Sequence, residues 1–289
     1  MTYAHVRPGS EEHKRIFCRE FVATHDPFKP SEIHWPDLDI EDRERLLALP
    51  VWDEAVSTEQ ETALKVQALA SVEPDPLLRE AIGLQGYEEA RHSQMLAMLT
   101  KEYGIPVAKR PDPPLPANPE WAFMRCSYGE QFDSFFAFGL FALARDSGIF
   151  PAALVKVFDP IMQEEARHIL FFSNWVAYRR ARTRSLQRAM LRFRCALAIS
   201  LQVLSRIRTA IDVGGQASQD NFAMKSHASF AVDITPRSFL ETCLRENDRR
   251  LGLYDPRLLR PTVVPRIARL VLRVLPKNKV ETSEPIPNP

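Results

Sequence analysis

The pentapeptide Glu-Glu-Ala-Arg-His occurs twice, at 88–92 and at 164–168, each time inside a stretch with apolar residues at helical spacing. In Glu-x-x-His the two side chains stand three apart, share one helix face and can reach one point. A hard carboxylate beside an imidazole suits iron, manganese or zinc. One such pair is equally a solvated helix face with Glu–Arg pairs. Two copies on separate helices fit that plain reading poorly and imply a fold built of two matching halves.

The rest of the chain supports such halves. Gly is scarce, 10 in 289 residues, and 45% of residues are hydrophobic, with long runs of Ala, Leu, Glu, Arg and Gln. That composition favours helix and allows a sizeable core. Periodicity predicts helices over 51–72, 77–103, 121–145 and 151–184, with Asp75 capping the second and Pro160 kinking or interrupting the fourth. Between the second and third lies 104–120, which holds six prolines in seventeen residues. Extended, it reaches about 50 Å, more than the roughly 40 Å of a 27-residue helix. It can therefore return the chain along a whole helix. The expected fold is all-α: a loop-rich lead-in over 1–40, a four-helix bundle with a long Pro-rich crossover over 41–184, a C-terminal helical extension over 185–275 and a disordered tail over 276–289.

Each hairpin should add one carboxylate from its first helix, level with the Glu-x-x-His, so that the turn falls midway between the two. In the second hairpin this is Glu130: the midpoint with Glu165 falls on Ser147-Gly148. In the first, Glu59 and Glu61 compete. The midpoint of Glu59 and Glu89 is Pro74, and Glu59 shares its helix face with Trp52, Val56, Ala63 and Val66, so Glu59 should face the core. The candidate metal ligands are Glu59, Glu89, His92, Glu130, Glu165 and His168. Four buried carboxylates repel one another, and two divalent cations between them remove that cost.

Over about residues 50–178, on these six residues, the sequence resembles the ferritin-like superfamily of carboxylate-bridged di-iron proteins. The acidic-Glu-x-Arg-His style is similar to that of bacterial multicomponent monooxygenases, acyl-carrier desaturases and arylamine N-oxygenases. The resemblance implies that Glu88 and Glu164 each orient a ligand histidine from behind. It implies two Fe ions, or Mn and Fe, with O2 as co-substrate in an oxygenase or oxidase that hydroxylates, N-oxygenates or desaturates a small or carrier-bound substrate. Ser134, four residues after Glu130, is either a proton donor toward bound oxygen or a plain helix serine. Three positions depart from particular subfamilies: Leu96 replaces a radical Tyr, Ile161 a third His, and Thr62 the Val of a Val–Tyr crosslink. A ferroxidase or iron-handling protein shares the ligands, and a non-catalytic metal-binding regulator or assembly protein is the third reading.

Electrons are expected from a separate ferredoxin or reductase, since the sequence carries no flavin, NAD or iron–sulfur motif. Residues 1–178 hold 17 Lys/Arg against 28 Asp/Glu, and residues 179–289 hold 21 against 9. The run RRARTRSLQRAMLRFR at 179–194, read as continuing the fourth helix, is either a solvated face or a dock for an acidic donor or carrier. No nucleic-acid motif accompanies it. Residues 265–279 alternate Arg with apolar residues and should pack on the bundle, or lie on a membrane surface. His5, His13, His25, His34 and His227 lack ligand spacing and read as surface or loop residues. The four cysteines lack metal spacing, no stretch reads as a signal peptide or membrane span, and a cytoplasmic protein, possibly a homodimer, is expected.

Overall fold

A computed structural model describes residues 6–49, 52–108, 110–111, 113–148, 150–212 and 235–276. Nine α-helices occur among these residues, without strands: α1 (Glu11–Ala23), α2 (Ile40–Ala48), α3 (Trp52–Val72), α4 (Pro76–Tyr103), α5 (Pro119–Asp146), α6 (Ala152–Arg182), α7 (Ser185–Asp212), α8 (Pro236–Leu251) and α9 (Val263–Val274). Local chemistry sets the boundaries of the central four. Asp75 caps α4 by accepting from the Leu77 and Leu78 amides at 3.0 and 3.2 Å, with Pro76 in the first turn. Gly104, at φ 70°, ends α4 in the left-handed conformation that costs glycine least. Asn118 caps α5 through the Trp121 amide at 2.9 Å.

α3 and α4 pair as one hairpin and α5 and α6 as the second, while α3 also packs on α5. The crossover leaves beside the start of α3, where the Ala108 amide donates to Asp53 Oδ1 at 2.7 Å and Arg110 Nη1 to Ser57 Oγ at 2.9 Å. The N-terminal segment does more than lead in: α1 packs on both α4 and α6. Its Phe17, Cys18 and Phe21 join the largest core cluster, with Phe171, Phe172 and Trp175. α5 is buried on two sides, against the bundle and against α8, which explains its ring of phenylalanines. Gly139 makes the second contact possible, since a Cβ there would lie 2.3 Å from Cys243 Sγ.

Several expectations change. α6 runs through Pro160 without interruption. It ends at Arg182, with Thr183 extended at φ −89° and ψ 144°, and α7 starts afresh at Ser185, so the arginine run is not a continuation of the fourth helix. Two of its arginines are held within the chain, Arg179 by Glu120 and Arg182 by Glu11. His13 is no surface residue: it is buried, accepts from the Gly9 amide through Nδ1 at 3.1 Å, and pairs through Nε2 with Asn174 Oδ1 at 2.8 Å. His5, His227 and the tail from 277 onward lie outside the described residues. Cys18, Cys126, Cys195 and Cys243 are free thiols. No helix among the described residues is long and apolar enough to cross a membrane.

Candidate metal centre

The two Glu-Glu-Ala-Arg-His blocks face each other across the bundle and interlock. Glu88, from the first block, pairs through Oε2 with His168 Nε2 of the second at 2.9 Å and accepts from Arg167 through Oε1. Glu164, from the second, pairs with His92 Nε2 of the first at 2.7 Å and with Arg91 Nη2 at 2.5 Å. The first glutamate of each block thus holds the histidine and arginine of the opposite block. Burial pushes both carboxyls up, but these partners outweigh it: Glu164 is held below its ordinary range and Glu88 down to about 2. Each arginine also donates to backbone carbonyls, Arg167 to Phe21 at 2.9 Å and Arg91 to Asp26 at 2.6 Å. A planar guanidinium with several donors can serve both partners at once. The segment 21–28 thereby seals the blocks from outside, with Phe28 under the Arg91 guanidinium at 3.9 Å.

With Nε2 committed to a carboxylate, each histidine turns Nδ1 inward. His92 Nδ1 lies 3.0 Å from Glu165 Oε1 and 3.8 Å from Glu59 Oε2. His168 Nδ1 lies 3.0 Å from Glu89 Oε1 and 3.8 Å from Glu165 Oε2. Donor atoms of Glu59, Glu89, His92 and Glu165 all fall within 4.8 Å of one another. Glu130 faces the same group, and both its oxygens are buried without a hydrogen-bond partner. Glu61, the competitor of Glu59, is exposed and pairs with Lys65 Nζ at 2.9 Å.

The electrostatics state what such a cluster lacks. Burial lowers the affinity of His92 and His168 for charge, yet the surrounding glutamates overcome it and hold both pKa values well above the ordinary imidazole value. Two imidazolium charges then offset part of the negative charge. Burial, together with repulsion from Glu165 and Glu89, lifts Glu59 to about 8 and raises Glu130 strongly. On Glu59 and Glu130 protons do the work that cations bound between the carboxylates would do. Hard oxygens, two inward imidazole nitrogens and orphaned buried oxygens on Glu130 fit a pair of first-row divalent ions.

A cavity of about 260 Å³ opens from the cluster. Glu59, Glu89, His92, Glu130 and Glu165 form its polar end, and Trp52, Met95, Leu140, Phe141 and Phe158 are among its apolar walls. Leu96, Ile161 and Thr62 also line it, as does Ser134. The three departures from particular subfamilies thus all sit in this cavity. Of the phenylalanines on α5, only Phe141 reaches it.

Sequence reasoning missed His25. Its Nδ1 pairs with Glu88 Oε1, and its ring lies edge-on to Tyr87 at 6.3 Å. It stands in irregular chain just after α1, 63 residues from its partner, so no helical spacing advertised it.

The fold and the cluster together define a ferritin-like helical bundle with two carboxylate–histidine half-sites. An R2-like ligand-binding oxidase with an aerobically reconstituted Mn/Fe cofactor superposes with a TM-score of 0.50 at 16% identity, covering 85% of this chain and 93% of that one. Two point mutants of an R2-like ligand-binding oxidase superpose at 0.49 and 0.48, also at 16% identity. No protein-family model matches the sequence, and no curated protein matches it.

Proposed function

We propose that the protein is an O2-dependent non-haem oxidase or oxygenase with a two-metal centre, acting on a small, largely apolar organic compound. The carrying observation is that the carboxylate–histidine cluster forms one end of an apolar cavity of about 260 Å³. An iron-oxidising protein needs the cluster but not the cavity. Glu59, Glu89, His92, Glu130, Glu165 and His168 would hold the metals: two Fe ions, or Mn and Fe, the pair named for the similar oxidases. When bound, that pair supplies the capacity to bind and reduce O2.

The chain's own residues then divide the work. Glu88 and Glu164 keep Nε2 of the opposite histidine engaged, so that Nδ1 points at the metal position. Arg167 and Arg91 balance the two carboxylates, which stay ionised beside the centre. The walls at Leu96, Ile161 and Phe158 exclude water and favour an apolar substrate. Ser134 offers a hydroxyl at the cavity wall, one turn from Glu130, to pass a proton. Electrons come from a separate donor protein, a ferredoxin or reductase. The reaction is a hydroxylation, N-oxygenation or desaturation.

Anaerobic loading with Fe(II), followed by O2 in a stopped-flow instrument, separates this reading from iron handling. An O2-dependent absorbance transient whose decay an apolar organic compound accelerates is the expected result. A monotonic rise of ferric absorbance, insensitive to such compounds and continuing past two irons per chain, would overturn it.

A further inference from the structure

Outside the bundle, α7 carries an apolar stripe that no part of the described chain covers. Leu186, Met190, Phe193, Leu197, Leu201 and Leu204 recur at three- and four-residue spacing, and all six are exposed, Leu186 at 82% and Phe193 at 63%. At 1.5 Å per residue the stripe is about 27 Å long. The opposite face, with Leu191, Cys195 and Ala198, is already spent on the core. Arg194 flanks the stripe, while Arg184, Arg188 and Arg192 are exposed on other faces of the helix. None of these four arginines meets a carboxylate among the described residues, and α7 holds no acidic residue before Asp212.

α9 repeats the pattern. Leu270, Val271 and Val274 are exposed beside Arg266, Arg269 and Arg273, with no acidic residue in the helix. Both helices pack on one core cluster, α7 through Val203 and α9 through Leu272.

We infer that α7, seconded by α9, lies in the interface of an anionic lipid bilayer, with its apolar stripe among the acyl chains and its arginines at the headgroups. An amphipathic helix with cationic flanks binds such a surface by burying apolar area and by electrostatic attraction together. Charge argues against a second copy of this chain, because α7 carries arginines and no acid before Asp212, so two copies laid together would bring like charges close without a compensating carboxylate. A single acidic protein would have to match two separate apolar stripes, whereas a bilayer accepts both.

Flotation of the intact protein with phosphatidylcholine vesicles, and with vesicles containing about one-third phosphatidylglycerol, tests this. The expected result is binding to the anionic vesicles alone, weakened at least tenfold by 0.5 M salt, where the Debye length shrinks to a few Å. Phe193→Trp should add blue-shifted emission on the same vesicles, which charge attraction without insertion does not produce. Leu186→Gln/Phe193→Gln and Arg192→Gln/Arg194→Gln should each lower binding at least tenfold with an unchanged thermal melt, since all four side chains are surface-accessible. Absence of flotation would overturn the inference, meaning the stripe is covered by another part of the chain or by an acidic protein. So would equal binding to neutral vesicles, or a solution dimer that Leu186→Gln/Phe193→Gln breaks.

Discussion

Glu130 is the residue whose surroundings make least sense without a cation. Its two carboxylate oxygens are buried and unpartnered, and burial with repulsion from Glu89 and Glu165 raises its pKa strongly. A side chain in that position costs stability and persists for function. Glu130→Met keeps the volume and removes the orphaned oxygens. The metal-free variant should be more stable than metal-free wild type by about 1–3 kcal/mol, the typical penalty of an unsatisfied buried polar group, and should no longer take up a full complement of metal. Urea denaturation and metal analysis check both halves, and a less stable metal-free variant would give Glu130 a structural role instead. That Glu59, Glu89 and Glu165 would come together was legible in the sequence, because proximity between helix faces reduces to spacing and to the hairpin midpoints. The crossing of Glu88 to His168 and of Glu164 to His92 was not legible, because it depends on how α4 and α6 face each other. His25 was hidden for a related reason, since it reaches Glu88 from irregular chain.

At the scale of the element, helix ends with a chemical marker were easy to read and unmarked ends were not. Asp75-Pro76 and Gly104 announce the two ends of α4. The break between α6 and α7 carries neither Gly nor Pro; Thr183 Oγ1 instead donates to the Arg180 carbonyl at 3.1 Å, and the Thr183 carbonyl accepts from Arg188 at 3.0 Å. Side chains thus satisfy backbone groups that a continued helix would have paired. Asp75 also ties α4 to α1 through Lys14, so its loss should be felt across two helices. Asp75→Ala should cost about 1–2 kcal/mol at neutral pH, as N-cap removal does. Burial raises the Asp75 carboxyl, but Lys14 and the Leu78 amide outweigh it and lower the pKa below the ordinary 3.8. A carboxyl depressed on folding stabilises above its unfolded value and loses that contribution as pH falls through the folded one. The gap between wild type and Asp75→Ala in urea midpoint should therefore be full at pH 6–7 and close below pH 3.8. A gap that persists unchanged at pH 3 would mean the cap works without its charge.

For the whole molecule, the cluster is where α3, α4, α5 and α6 all present charge to one another, and no described residue of the helical extension joins it. Stability should therefore depend on occupancy of the centre more than on any one contact. A ligand that binds only the folded state stabilises it by about 2.7 kcal/mol at a hundred times its dissociation constant. For a chain of this size that is roughly 4–5 °C in melting temperature. Protein stripped by a chelator should melt lower by about that amount, and Mn(II) or Fe(II), added anaerobically, should restore it in a concentration-dependent way. Mg(II) should restore far less, because imidazole nitrogens are poor ligands for it. Glu130→Met separates the two sources of stability: the metal-free form gains, and the metal-dependent increment shrinks. The sign follows from electrostatics. Without cations, Glu59 at about 8 holds a proton at neutral pH, burial and the neighbouring Glu89 and Glu165 push Glu130 the same way, and metals must displace such protons. Metal uptake should accordingly release protons at pH 7, visible as a buffer-dependent heat in calorimetry, and release fewer at pH 9. A melting temperature indifferent to Mn(II), Fe(II) and chelator alike would leave the buried carboxylates without a cation to explain them.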